Sequence, residues 1–183
     1  MKTRKLVFVA LFSAIMAVLG FLPPITLSFT PVPITLQTLG VMLAGGLLGA
    51  RLGAASMGVF LLVVAAGAPL LSGGRGGLTV FVGPSAGYLI GWVAGAFIIG
   101  LIVQRFKEVS VLKVFAANIV GGIFVVYLFG VTVQAFVMDI GIIKALTLSL
   151  VYIPGDLLKA TVAALLVPRL YKSLQWAHGH SYA

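Results

Sequence analysis

The chain has 183 residues, of which 61% are hydrophobic and 8% are charged, whereas soluble domains carry about 25% charged residues. This composition excludes a large water-soluble domain and predicts a protein that lies in a lipid bilayer. The formal net charge is +9 and cysteine is absent, so a disulfide framework, a cysteine-ligated zinc site and a thiol nucleophile are excluded.

The first predicted helix covers residues 6–22 and follows three basic residues. A basic start and an apolar run are also typical of a signal peptide. This run is longer than an ordinary signal core, however, and it ends at Pro23 and Pro24 instead of at a small-residue cleavage motif. We therefore interpret it as a retained membrane helix.

Two irregular segments flank the next pair of helices. Residues 23–35 contain four prolines, which exclude a regular helix and favour an extended, ordered loop. Helices 2 and 3 are predicted at residues 36–50 and 54–69, and a glycine-rich loop follows at residues 70–82. Irregular backbone in contact with lipid would lose hydrogen bonds, so we expect both loops to cover the protein at its external face.

The second half of the chain contains three further apolar stretches. Helices 4 and 5 are predicted at residues 84–104 and 111–138. The last stretch would be about 45 Å long as one helix, which exceeds the ~30 Å hydrocarbon core of a membrane. Because proline interrupts a helix but suits its first turn, Pro154 divides this stretch into a short cap segment at residues 141–152 and helix 6 at residues 154–171.

These elements predict an all-α membrane protein, a six-transmembrane-helix bundle in which residues 1–183 form one domain, with ordered external loops after helices 1, 3 and 5. The Lys and Arg residues predict its orientation, because cytoplasmic loops carry an excess of them. If both termini are in the cytoplasm, nine of these residues lie on the cytoplasmic side: Lys2, Arg4, Lys5, Arg51, Arg105, Lys107, Lys113, Arg169 and Lys172. Two lie on the external side: Arg75 and Lys144. Such dispersed cations do not form the basic face of a nucleic-acid-binding protein. We therefore expect the lipid bilayer as a partner and expect no binding to nucleic acid.

Asp156 and Lys159 are ionisable residues within a predicted membrane helix, and the orientation of the protein does not explain their presence there. They stand three residues apart in the first turns of predicted helix 6, so their side chains share one face. An Asp or Lys side chain costs roughly 2.5–3.5 kcal/mol near the middle of a membrane, and such residues usually face cavities or substrates. We therefore predict a binding site at this pair; the alternative is an ion pair that only neutralises two charges.

Further candidates come from the predicted external segments. Arg75 lies in the sequence GGRGG, whose Gly76 and Gly77 let the backbone approach a bound molecule; the alternative is a flexible turn with a solvated cation. Gln37 and Tyr88 begin helices 2 and 4, where they either line the external mouth or serve as a helix cap and an interfacial anchor. Since all these residues fall in the outer half of the bundle, we expect one pocket for a small solute.

A catalytic function has little support in the sequence. His178 and His180 lie in the last six residues, on the predicted cytoplasmic side and far from Ser85. An intramembrane aspartyl protease, the rival of a different class, would need two carboxylates that share a proton, but Asp139 lies beyond the outer end of predicted helix 5. The sequence has no nucleotide-binding motif and no cluster of metal ligands, so we predict no catalytic residue, no metal site and no cofactor.

Four motifs resemble those of one protein family. Residues 29–37 read FTPVPITLQ, residues 73–77 read GGRGG, residues 83–91 read GPSAGYLIG and residues 154–159 read PGDLLK. In this order they are similar to the motifs of BioY proteins, the biotin-binding S components of energy-coupling factor (ECF) transporters. The resemblance implies a six-helix protein of the prokaryotic cell membrane that binds biotin from outside and is energised by an EcfT-type transmembrane coupling subunit and two ATPase subunits. An S component for another small vitamin is the alternative within this class.

The resemblance also implies roles for individual residues. Asp156 would accept a hydrogen bond from the biotin ureido ring, Lys159 would donate to an oxygen of the ligand, and Arg75 with nearby loop amides would meet the carboxylate. S components are similar in using a face of small residues on helix 1 to dock the coupling subunit. In this chain that face consists of Ala10, Ala14 and Ala17. Without the resemblance, small residues at this spacing more often indicate packing inside the bundle.

Overall fold

The computed structural model describes residues 2–177, with side chains for residues 3–171, so His178 and His180 lie outside the described residues. The helices are α1 (Lys2–Phe21), α2 (Gln37–Ala65), α3 (Ala86–Val103), α4 (Val111–Ala117), α5 (Val126–Val137), α6 (Ile142–Ser149) and α7 (Ile153–Ala177). Strands β1 (Ile25–Leu27) and β2 (Thr30–Ile34) form an antiparallel hairpin between α1 and α2. A π-helical segment, Asn118–Val125, joins α4 to α5, and 3₁₀ turns lie at Leu78–Phe81 and Leu150–Tyr152.

The membrane character of the fold follows from its helices. Five helical stretches within residues 2–177 are long and apolar enough to cross a membrane: Thr3–Phe21, Gln37–Ala65, Ala86–Val103, Val111–Val137 and Ile142–Tyr171. The predicted all-α membrane protein is thereby confirmed. The hairpin is a small β element within the proline-rich segment that was expected to be extended.

Predicted helices 2 and 3 form one continuous element, α2, which is broken at a single residue. Within α2, Gly49 has the non-helical angles φ 77° and ψ −178°, which glycine adopts without steric cost. A straight helix of 29 residues would be about 43 Å long. Yet Gln37 Nε2, at the start of α2, donates to the carbonyl oxygen of Leu70 at 3.1 Å. The chain therefore reverses direction at Gly49, within one residue of the predicted end of helix 2 at residue 50.

Several other boundaries also need correction. Helix 3 was predicted to reach residue 69, but α2 ends at Ala65, because Gly67 takes a φ of 109° and Pro69 lacks an N–H donor. α1 begins at Lys2 instead of residue 6, and α3 begins at Ala86 instead of residue 84. The predicted cap segment is α6 with a 3₁₀ turn, and α7 continues past the predicted end at residue 171 to Ala177.

A close contact between α3 and the reversal in α2 positions one end of the bundle. A Cβ atom at Gly100 would lie 2.2 Å from the backbone nitrogen of Ala50 and 2.3 Å from the carbonyl carbon of Gly49. Real Cβ atoms do not approach backbone atoms so closely, so only glycine fits at this position. Buried apolar side chains fill the remaining space between the helices, among them Phe60 and Trp92.

Replacing Gly100 by Ala should destabilise the protein, because the added methyl group meets backbone atoms that no side-chain rotation can move. Over-packing typically costs about 1–3 kcal/mol, so the midpoint of thermal unfolding in detergent should fall by several degrees. Gly58→Ala is the matched control, since nothing lies within 4 Å of a Cβ atom at Gly58. Equal unfolding midpoints for the two variants would contradict the close contact.

Candidate functional site

A cavity lies between β2, the loop after α2, and the helices α2, α3, α5 and α7. We call it the inner cavity; the volume in it that is open to the centres of water molecules is about 60 Å³. One water molecule needs roughly 10–15 Å³ by this measure, so the inner cavity has room for several waters or for part of a small molecule. It is lined by all five polar candidates from the sequence, namely Gln37, Arg75, Tyr88, Asp156 and Lys159.

An ion pair forms the polar end of the inner cavity. Lys159 Nζ lies 2.8 Å from Asp156 Oδ1, and the two residues are only 6% and 4% exposed. Both belong to the first turns of α7, where a spacing of three residues brings the side chains together and the helix dipole favours a carboxylate. The structure therefore combines the two readings of the sequence: Asp156 and Lys159 neutralise each other, and the pair borders a cavity.

Two hydroxyl groups hold the ion pair in place. Thr38 Oγ1 donates to Asp156 Oδ1 at 3.2 Å and accepts from Lys159 Nζ at 2.9 Å. Tyr127 Oη donates to the other carboxylate oxygen, Asp156 Oδ2, at 2.6 Å. Sequence reasoning missed both residues. In the sequence, Thr38 is distinguished only by a hydroxyl group next to Gln37, and Tyr127 only by a hydroxyl group within the apolar stretch of predicted helix 5.

The hydrogen bonds leave a defined capacity for a ligand. A carboxylate accepts about four hydrogen bonds and a lysine ammonium donates three. Asp156 Oδ1 already accepts from Lys159 and Thr38, while Oδ2 accepts only from Tyr127. Lys159 uses two of its three N–H groups. One acceptor position on Asp156 Oδ2 and one donor on Lys159 therefore remain for a neutral group that carries both a donor and an acceptor.

Aromatic side chains form the wall of the inner cavity. The ring of Tyr88 contacts the rings of Tyr127 and Tyr152 edge to face, with centroid distances of 6.0 and 6.3 Å. The Tyr88 hydroxyl donates to Gln134 Oε1 at 3.0 Å and lies 2.8 Å from Ser149 Oγ. These polar contacts fix the rings, so their faces offer a rigid apolar surface to a ligand.

Tyr152 also connects the cavity to the hairpin that covers it. Its hydroxyl donates to the carbonyl oxygen of Val32 at 3.0 Å and contacts the hydroxyl of Thr30. Both partners belong to β2, and both are buried. The segment before α7 therefore holds β2 against the inner cavity.

Gln37 lines the inner cavity, but its amide is already fully used. Nε2 donates to the carbonyl oxygens of Met16 and Leu70 at 3.2 and 3.1 Å. Oε1 accepts from the backbone nitrogen and the hydroxyl of Ser72 at 3.3 and 3.4 Å. Two donors and two acceptor positions are the whole capacity of an amide. Gln37 therefore ties α1 and the glycine-rich loop to the start of α2.

Arg75 is held by the same loop. Its Nε donates to the carbonyl oxygen of Ser72 at 3.3 Å, and its Nη1 donates to Ser85 Oγ at 3.4 Å. Partial burial lowers the pKa of the Arg75 guanidinium below its ordinary value, because the charged form is partly desolvated. An arginine nevertheless stays protonated in a protein, so Arg75 places a positive charge at the edge of the cavity.

Gly76, Gly77 and Asp139 do not line the inner cavity. A Cβ atom at Gly76 would lie 2.2 Å from the carbonyl oxygen of Ala68, so this glycine packs against its own loop. Gly77 has a φ of 82° and turns the chain towards the 3₁₀ turn. A ligand contact by the two glycine amides stays a prediction.

The small residues of α1 lie on its outer surface. Ala10 and Ala14 are exposed and Ala17 is partly exposed, together with larger apolar neighbours such as Leu11 and Val18. Packing inside the bundle therefore does not explain Ala10 and Ala14. Their side chains are available to lipid or to another protein.

Comparisons with known proteins agree with this architecture. The sequence profile of the BioY family matches residues 1–176. A Bacillus subtilis (strain 168) protein named probable biotin transporter BioY is 53% identical over 174 residues, which cover 95% of this chain and 94% of the relative. A Rhizobium etli protein named biotin transporter BioY is 52% identical over 172 residues, which cover 91% and 92% of the two chains.

A solved structure gives the same result. It is described as the crystal structure of the S-component for biotin from an ECF-type ABC transporter, and it superposes with a TM-score of 0.89 at 38% identity. The superposition covers 93% of this chain and 92% of that chain. Since the similarity in sequence and in fold extends over nearly the whole length, this chain belongs to the BioY family.

Proposed function

We propose that this chain is the biotin-binding S component of an ECF-type transporter. The observation that carries the proposal is the buried Asp156–Lys159 pair beside the inner cavity, in a chain whose relatives are named biotin transporters. It is a multi-pass membrane protein that captures its ligand and performs no chemical reaction on it. Transport is energised by partner subunits of the ECF type.

The topology that fits this function has six passes, an outer binding site and both termini in the cytoplasm. The reversal at Gly49 divides α2 into two helices of about 18 and 24 Å, and counting them as two short passes that the bilayer thins to accommodate raises the five apolar stretches to six. The inner cavity then lies at the end of the bundle that carries the hairpin and Arg75. With that end outside, nine of the cations named above face the cytoplasm, as the positive-inside rule requires.

The chemistry of biotin fits the polar end of the inner cavity. Its cyclic urea places an N–H donor and the carbonyl acceptor on the same edge of the ring. Asp156 Oδ2 has one acceptor position left and Lys159 has one donor left, so the two complete a pair of hydrogen bonds with that edge. Hydrogen bonds to charged groups contribute about 1.5–3 kcal/mol each.

The remaining parts of biotin find matching surfaces along the wall of the inner cavity and at its edge, where the ligand extends out of the cavity. Its sulfur-containing ring and its alkyl chain are apolar, and the rings of Tyr88, Tyr127 and Trp92 line the wall. The carboxylate of the ligand would meet Arg75, the second cation that lines the cavity, and the nearby amides of Gly76 and Gly77. This orientation places each polar end of the ligand against a group that satisfies it.

The partner surface that we propose is the exposed face of α1. An EcfT-type transmembrane coupling subunit would pack on Ala10, Ala14 and Ala17, because small side chains let two helices approach closely. Two ATPase subunits would supply the energy, since the sequence has no nucleotide-binding motif. No cofactor is needed for capture of the ligand.

The proposal predicts that the purified protein in detergent binds biotin tightly, at a stoichiometry near one and without converting it. Isothermal titration of the intact chain measures this directly, with thiamine as the competing small vitamin. Biotin should bind at least a hundredfold more tightly than thiamine, because thiamine lacks the ureido edge. Equal affinities would mean that the site serves another ligand.

The ion pair should dominate the affinity. Asp156→Asn and Lys159→Met should each weaken biotin binding by tenfold or more, or about 1.4 kcal/mol. Tyr127→Phe should weaken it by roughly three- to tenfold, because Asp156 loses one of the bonds that orient it. Thr161→Val is the control, since the Thr161 hydroxyl is exposed and bonds only to the backbone of its own helix. Wild-type affinity in folded ion-pair variants would move the site elsewhere.

Coupling should be separable from binding. Ala14→Trp should abolish biotin uptake by cells that contain the complete transporter, because the indole keeps another helix away from α1, and it should leave biotin binding by the purified protein unchanged. Leu128→Trp is the control, since Leu128 is 58% exposed and lies on α5. Normal uptake with Ala14→Trp would exclude this face as the docking surface.

A further inference from the structure

An open depression of about 390 Å³ lies among the loops at the same end of the bundle. We call it the outer chamber; it is bordered by Pro31 of the hairpin, Gly74 to Gly76 of the glycine-rich turn, Thr79, and Ser85 before α3. Pockets for small molecules typically measure about 300–1,000 Å³. The outer chamber falls in this range, whereas the inner cavity, at about 60 Å³, is much too small for a whole vitamin.

The outer chamber and the inner cavity share two lining residues. Among the described residues, only Arg75 and Ser85 line both of them. Arg75 Nη1 donates to Ser85 Oγ at 3.4 Å, which is a long hydrogen bond between two side chains. The side chains of Arg75 and Ser85 therefore border both cavities, so the guanidinium group of Arg75 can contact a ligand in either of them.

Arg75 also sets the charge of the outer chamber. A guanidinium has five N–H donors, of which Arg75 uses one for Ser72 and one for Ser85. No carboxylate among residues 2–177 lies within ion-pair distance of it. The other residues that border the chamber are uncharged. The chamber therefore favours an anion and disfavours a cation.

We propose that the outer chamber is a second subsite that takes the acyl end of the ligand and whatever is attached to it. Resting on the proposed function, this assignment extends the ligand class to biotin derivatives that are lengthened through an amide at the carboxyl group and end in an anion. The amide carbonyl still accepts a hydrogen bond from Arg75, the added chain lies in the outer chamber, and the terminal anion compensates the charge of Arg75.

The test compares three ligands on the purified full-length protein by competition titration. They are biotin, biotin joined to 6-aminohexanoate, which ends in a carboxylate, and biotin joined to 1,6-diaminohexane, which ends in an ammonium group. The carboxylate derivative should bind within tenfold of biotin, and the ammonium derivative should bind at least tenfold more weakly than the carboxylate derivative. Arg75→Gln should reduce this difference between the two derivatives to less than threefold.

A second variant locates the added chain. Thr79→Trp should weaken the carboxylate derivative at least tenfold more than it weakens biotin, because the indole would occupy the outer chamber. Val82→Trp is the matched control; Val82 is 73% exposed and lines neither cavity, so the ratio of the two affinities should not change.

Two outcomes would overturn the proposals, and they are distinguishable. If biotin binds tightly but both lengthened ligands bind more than a hundredfold more weakly, regardless of their end charge, the outer chamber is not part of the site. The same conclusion follows if Thr79→Trp and Val82→Trp alter the affinities alike. If biotin itself does not bind, the proposed function fails, and the second subsite fails with it.

Discussion

The structure depends on keeping one acid and one base stable inside an apolar bundle. A buried charge is tolerated only when it is paired and hydrogen-bonded, because desolvation costs several kcal/mol for each ion. Asp156 and Lys159 meet this condition through their mutual contact and through the hydroxyls of Thr38 and Tyr127. The arrangement orients the pair and still leaves one acceptor and one donor free. The contacts that stabilise the buried charges are therefore the same contacts that prepare the binding site.

The covering segments are tied to the helices that form the inner cavity. Gln37 holds the glycine-rich loop from the start of α2, next to the residue that bridges the ion pair. Tyr152 holds β2, and Tyr88 contacts the end of α6 through Ser149. Polar groups within an apolar bundle thus connect the roof of the cavity to its walls. A ligand that displaces these contacts would therefore shift the hairpin, the glycine-rich loop and α6 together.

Sequence reasoning recognised those parts of the site that break the local pattern. A charge in an apolar stretch is rare, and for that reason Asp156, Lys159 and Arg75 stood out. Tyr127 and Thr38 did not, because a hydroxyl is common in membrane helices and becomes informative only when its partner is known. Gln37 was correctly predicted to line the cavity. Its hydrogen bonds to Met16, Leu70 and Ser72 could not be predicted, because they join three segments that are distant in the sequence.

The sequence alone determined the membrane environment, the helical class, the break before α7 and the family. These conclusions depend on the length of apolar stretches, on proline and on contiguous motifs, which are all local properties of the chain. Only the tertiary structure decided which hydroxyls hold the ion pair, that the amide of Gln37 is fully used, and that Arg75 lines two cavities. Each of these features is a contact between segments far apart in the chain, and its energy depends on distances that the order of residues does not specify.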